Sequence, residues 1–155
     1  RIRLHDYADA FALGIAPGWG IARLGCFAIH DHPGALSRFP LAVGFPGGPR
    51  HDLGLYDGIA LLVIAAVAYL LRSRGVLRGR LLAVVALLYG VQRFVMDFLR
   101  ASDVTYPDAR YLGLTPAQYL CFALLAYALW RVSLPSTSPW PIAGERRPRF
   151  GISRR

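Results

Sequence analysis

From Ala22 to Gly34 the sequence reads ARLGCFAIHDHPG, an arginine, a thiol, two imidazoles and a carboxylate set among small and apolar residues. Guanidinium is a planar fork of donors that stays charged and matches the oxygens of a phosphate. Histidine titrates near neutrality, so His30, His32 and, further along, His51 are candidate general bases. A second set, Tyr89, Arg93, Asp97 and Arg100, is spaced four, four and three residues apart. On a helix such residues share an arc of about 80°. Arg93 and Asp97 are then an i, i+4 pair able to neutralise each other. The HDHPG stretch invites a metal reading, but adjacent and alternate loop residues without a spaced His or Cys partner fall short of a four-ligand site, so no metal is expected. No cofactor is called for either. Cys26 and Cys121 form no disulfide framework, and Cys26 is read as a structural or substrate-contacting residue ahead of a nucleophile.

These residues must be held by apolar elements. The 155 residues are 55% hydrophobic with a formal charge of +9, and every basic residue is arginine. A nucleic-acid surface would cluster that charge on one solvated face. Here it punctuates apolar runs, in Arg72–Arg80 and in Arg146–Arg155, so no nucleic-acid partner is expected. Segments of about 53–71, 81–99 and 114–130 are each near the length that spans a hydrocarbon core of roughly 30 Å. A fourth, about 7–27, is interrupted by Gly14, Pro17, Gly18 and Gly20. Such breaks are tolerated where neighbouring helices cover the freed backbone. The expected fold is all-α, a polytopic integral membrane bundle over 1–132 with a small irregular or β outer cap built from Leu36–Asp52. Residues 133–155 read as a Pro/Ser linker and a basic, disordered tail.

Arginine density places 72–80, the N-terminal residues and the tail on the cytoplasmic side, and 28–52 and 100–113 outside. On this topology the polar clusters recognised along the chain collect at the outer face. An arginine inside a span is unfavourable by about 2.5–3.5 kcal/mol near the centre, so Arg93 must face protein or a wet cavity. Two arginines converging there point to a phosphate, and at that depth the phosphate to hand is a lipid headgroup.

At these residues the chain resembles the prolipoprotein diacylglyceryl transferase family. ARLGCFAIHDHPG is similar to the family's GRxGNFxNGExxG at Arg23, Gly25, Phe27 and Gly34, with Asp31 for glutamate and Cys26 for asparagine. RHDLGLYD (Arg50–Asp57) resembles RHPSQLYE, YGVQRFVMDFLRASD (Tyr89–Asp103) resembles YGxxRxxxEFxRxPD, and LGLTPAQ (Leu112–Gln118) resembles the segment that follows. The resemblance implies a multi-pass enzyme of the bacterial inner membrane, its site facing the periplasm and its C-terminus cytoplasmic. Its partners would be phosphatidylglycerol, a prolipoprotein lipobox peptide and membrane lipid. It implies catalytic roles for Arg23, Arg93 and Asp97, and substrate contacts from Arg23, Cys26, Asp31, Gly34, Arg50, His51, Tyr56, Tyr89, Arg93 and Arg100. The family's His-Gly-Gly motif has no match before Arg23, which fits either a truncated chain or another base among His30, His32 and His51. The competing expectations are a non-catalytic relative of the same fold that binds anionic phospholipid, and a transporter.

Overall fold

The computed structural model of the chain describes residues 7–105 and 107–134. The expectations for the N-terminal residues before Tyr7 and for the tail from 135 onward lie outside those residues. The described chain forms α1 (Ala8–Ile29), β1 (Pro33–Leu36), β2 (Val43–Phe45), β3 (Gly48–Asp52), α2 (Leu53–Ser73), α3 (Leu81–Met96) and α4 (Pro116–Ser133), with a 3-10 turn over Asp97–Leu99. Among the described residues three stretches, Ala8–Ile29, Leu53–Ser73 and Leu81–Leu99, are long and apolar enough to cross a membrane; the 18-residue α4 falls short of that measure. Large apolar side chains such as Phe11, Ile21, Val63, Leu120 and Leu129 point outward from the bundle, as helices in contact with lipid require.

The first segment is not interrupted. α1 runs unbroken for 22 residues through Gly14, Pro17, Gly18 and Gly20, and Gly20 is a contact with Leu61 and Leu62 of α2 rather than a break. Ala12, Ala16 and Gly20 form a buried stripe along α1. Opposite them on α2, a Cβ at Gly58 would lie 2.7 Å from Leu24 Cδ2, and one at Gly54 would lie 2.8 Å from the Phe27 backbone nitrogen. Small residues at both surfaces let two helix backbones approach where lipid supplies no hydrophobic drive. Ile64, Ala65, Ala68, Leu81 and Val85 complete this core. α4 lies along α3, with Leu125 in van der Waals reach of Gly90.

The expected cap is a three-stranded antiparallel sheet in the order β1-β3-β2. It occupies the end of the bundle where α1 stops, α2 starts and α3 finishes, joined to the last by a bridge between Gly34 and Arg100. α2 and α4 both begin there with side-chain caps. Asp52 accepts the Leu55 N–H at 3.1 Å, and Thr115 and Gln118 form a capping box.

The opposite end carries a polar cluster that corrects the expectation of polarity at one face alone. Asp9, 3% exposed, accepts the Gly79 N–H at 2.5 Å and the Leu81 N–H at 3.0 Å. Arg131 donates to the Gly79 carbonyl at 3.1 Å. A single aspartate thus serves as the cap that Arg80, at the N-cap position of α3, lacks. Asp9→Ala would leave two buried amides unsatisfied, each worth about 1–3 kcal/mol. Thermal denaturation in detergent should show the lost stability, while activity per folded molecule stays unchanged.

Candidate active site

Asp57, one turn into α2 and 2% exposed, is the hub of the cap end. Its Oδ2 accepts from Arg23 at 2.6 Å and from Arg93 at 3.1 Å, and its Oδ1 accepts from Gln92 at 2.7 Å. Arg23 comes from α1 and Arg93 from α3, so three helices meet on one carboxylate. Both guanidiniums are 13% exposed. Arg93 also reaches Asp97 at 3.2 Å, the i, i+4 pair read from spacing. Asp97, where α3 gives way to the 3-10 turn, is fully buried and accepts from Arg100 Nε at 2.7 Å and from the Thr115 hydroxyl. Arg100 continues to Asp108. The polar stripe of α3 is therefore one end of a ladder through which α2, α3 and α4 are tied.

The ladder leaves a donor over. Arg23 donates through one terminal nitrogen to Asp57 and through the other to His32 Nε2 at 3.1 Å, while its Nε is buried with no partner. A buried guanidinium nitrogen without an acceptor is a place for an oxygen of a ligand. Beside this region a cavity of about 450 Å³ opens at the cap end, lined by Asp31, His32, Arg100 and Asp108 among others.

The three histidines occupy different environments. Because arginine only donates, His32 Nε2 must accept and its Nδ1 carries the proton that bonds Asp31. His30 is the left-handed C-cap of α1, φ 52°, and its Nδ1 lies 2.8 Å from the buried Asp52 carboxylate. Asp52 accepts that Nδ1–H, which makes Nε2 the nitrogen able to take a proton. His51 Nδ1 lies 2.9 Å from the Tyr56 hydroxyl. These two residues border a separate, mostly apolar cavity of about 500 Å³ with Phe39, Leu41 and Met96.

Other expected contacts are placed elsewhere in the same end. Arg50 grips Asp103 through both terminal nitrogens, at 2.8 and 2.6 Å, and donates to the Gly34 carbonyl at 3.1 Å. Tyr89 sits a turn below Arg93 against Trp19, ring centroids 5.4 Å apart, on an apolar groove between α1 and α3. Cys26 Sγ is 3.9 Å from Arg23. The hydrogen bond from Arg50, helped less by a backbone hydrogen bond and then by the Arg50 charge, holds the Asp103 carboxyl below its usual range against the opposing effect of desolvation. A depressed pKa stabilises the fold above the unfolded value near 3.9, and that contribution is lost as pH falls through the folded value. The gap in denaturation midpoint between the protein and Asp103→Asn should therefore be open at about pH 6 and closed in strong acid, below the folded value.

Gly34 shows why glycine stands in the cap. A Cβ there would come within 2.7 Å of the Leu99 carbonyl and 2.9 Å of the His51 Cβ and carbonyl oxygen. Gly34→Ala must push β1 away from α3, a loss of about 1–3 kcal/mol by overpacking, with activity falling alongside the midpoint of thermal denaturation.

The family model for prolipoprotein diacylglyceryl transferase matches residues 1–134. The chain belongs to the prolipoprotein diacylglyceryl transferase family. Proteins named phosphatidylglycerol-prolipoprotein diacylglyceryl transferase are similar to it. One from Nitratidesulfovibrio vulgaris (strain DP4) is 33% identical over 129 residues, 81% of this chain and 49% of that protein. Another, from Chromohalobacter salexigens, is 31% identical over 138 residues, 84% of this chain and 52% of that protein. The chain thus spans about half the length of the curated relatives it matches. No solved structure matches it.

Asp57, Gln92, Asp52, Thr115 and Asp108 were not singled out as site residues from sequence. Asp57 closes the RHDLGLYD match, and Thr115 and Gln118 lie within the LGLTPAQ match.

Proposed function

We propose that this protein transfers the diacylglyceryl group of phosphatidylglycerol to the lipobox cysteine of a prolipoprotein, in a bacterial inner membrane with the cap end facing the periplasm. The observation that carries this reading is the pair Arg23 and Arg93, drawn together on Asp57 with Arg23 Nε left unpartnered. The acceptor thiolate attacks the glyceryl carbon, the carbon–oxygen bond breaks, and glycerol phosphate departs with the electron pair. Charge grows on the leaving phosphate, where preorganised donors in a water-poor site are most effective. Arg23 and Arg93 meet that charge. Asp57 and Asp97 hold the two forks in place before the lipid arrives, so little reorganisation remains for the reaction itself. Of these histidines, His30, fixed by Asp52, offers Nε2 to take a proton, whereas the same nitrogen of His32 is occupied by Arg23. The apolar cavity beside Tyr56 suits an acyl chain of the donor.

The test is a mass-spectrometric search for the diacylglyceryl adduct on a lipobox peptide incubated with phosphatidylglycerol and the purified chain in detergent. The adduct is expected from the protein and not from Arg23→Ala. Folded protein that holds phosphatidylglycerol and yields no adduct would replace this reading with that of a non-catalytic lipid-binding relative.

A further inference from the structure

Two guanidiniums reach across the same gap, in opposite directions, at the end of the bundle away from the cap. Arg80, at the N-cap of α3, donates through a terminal nitrogen to the Leu134 carbonyl at 2.6 Å, just past α4. Arg131, in the last turn of α4, donates the other way to the Gly79 carbonyl at 3.1 Å. Arg131 is 7% exposed, and Arg80 Nε is buried without an acceptor. None of the ion pairs among the described residues includes either side chain. Asp9, at the same end, gives both of its oxygens to the N–H groups of Gly79 and Leu81. The connection from α2 to α3 contains no acid, and Arg72, Arg74 and Arg78 add to its positive charge.

A charge buried to this degree is held at low cost only beside an opposite one. Backbone carbonyls ease the burial but bring no net charge. The helices divide the pair: α4 ends at Arg131 with its partial negative charge, whereas α3 starts at Arg80 with its partial positive charge, so Arg80 stands at the wrong end of the helix it opens. Two arginines against one aspartate leave a surplus of one positive charge, which is the charge that the phosphodiester of a phospholipid cancels. Guanidinium forks match its oxygens, and Arg80 is only half-buried, so the pair is approachable from outside. The depth also suits a headgroup. Tyr69 near the end of α2 and Trp130 beside Arg131 are both exposed, as aromatic side chains are at a membrane interface. Leu129 and Val132, exposed on α4, offer an apolar track leading away from the arginines.

We propose that Arg80 and Arg131 seat the phosphodiester of a phospholipid from the leaflet at this end, its chains lying along Leu129 and Val132, as a structural lipid that ties the α2–α3 connection to α4. The site is separate from the arginine pair at the cap and takes no part in transfer. Being open to the leaflet, such a lipid exchanges with the bilayer, and its occupancy is read as stability at a known lipid concentration.

The probe is a dialkyl phosphate, which has the phosphodiester charge and two chains but no headgroup. Titrated into the lipid-stripped full chain in detergent, it should raise the midpoint of thermal denaturation by about 3–6 °C at about ten times its dissociation constant. The rise should be present in Arg23→Gln, whose phosphate seat at the cap is removed, and lost when Arg80→Gln or Arg131→Gln is added. Glutamine can still donate to a backbone carbonyl, and the two substitutions are independent, so either one that folds gives the reading. With Arg23 intact, each should lower the rise by the same amount. No rise in Arg23→Gln, or a rise indifferent to Arg80 and Arg131, overturns the site. Equal stabilisation by inorganic phosphate would make the occupant a free anion, and equal stabilisation by diacylglycerol would make it the chains alone; either overturns the phospholipid. None of these readings involves transfer, so they are independent of the transferase reading above.

Discussion

Asp57→Asn is expected to destabilise the protein by about 3–5 kcal/mol and to abolish transfer in whatever fraction folds. The magnitude is that of removing one partner from a buried ion pair, which strands the charge left behind. Arg23 is the charge left stranded, because it shares Asp57 Oδ2 with Arg93 at 2.6 and 3.1 Å while Arg93 keeps Asp97 at 3.2 Å. Asparagine keeps the shape but only one acceptor oxygen, so it can face either Gln92, as Oδ1 does, or the arginines, as Oδ2 does, and turns its amide NH2 toward the other. It cannot neutralise both guanidiniums, which would repel each other across the α1–α3 gap. Chemical denaturation in detergent measures the first effect, and adduct yield per folded molecule the second. Asp57→Glu provides the control: it keeps the charge, and a midpoint close to that of the parent protein is expected.

Arg93→Lys separates charge from geometry. Arg93 donates to Asp57 through one terminal nitrogen at 3.1 Å and pairs ionically with Asp97 through the other at 3.2 Å, and so braces α3 against α2 while presenting its fork. Lysine supplies the charge as a single point and cannot span both carboxylates while meeting a phosphate. Loss of one preorganised donor of this kind lowers kcat by about 100- to 1,000-fold. The fold should survive, since charge balance around Asp57 and Asp97 is kept. The measurement is the rate of adduct formation at saturating phosphatidylglycerol. A rate within a few-fold of the parent would show that charge alone suffices.

The parts of this molecule that were readable in advance are those set by local pattern. Helices over 53–71 and 81–99 follow from apolar length, and the Arg93–Asp97 pair follows from helical spacing. The capped start at Thr115 is written in Thr-Pro-Ala-Gln. What escaped depends on partners far along the chain. Gly20 looks like an interruption of the 7–27 segment until α2 is laid against it. Asp57 is one acid at the start of an apolar run until α1 and α3 deliver Arg23 and Arg93 to it. Asp9 acquires its role from a loop 70 residues away.

The central claim is that Arg23 and Arg93 together form the seat of the lipid phosphate. Native mass spectrometry of the protein released from bilayer discs of equal phosphatidylglycerol and phosphatidylethanolamine addresses it directly. The protein should carry one tightly held phosphatidylglycerol. Arg23→Gln, which keeps a side chain able to donate to Asp57, should lose it while the general lipid envelope is unchanged. Retention of that lipid by the folded variant at the level of the parent protein would contradict the account.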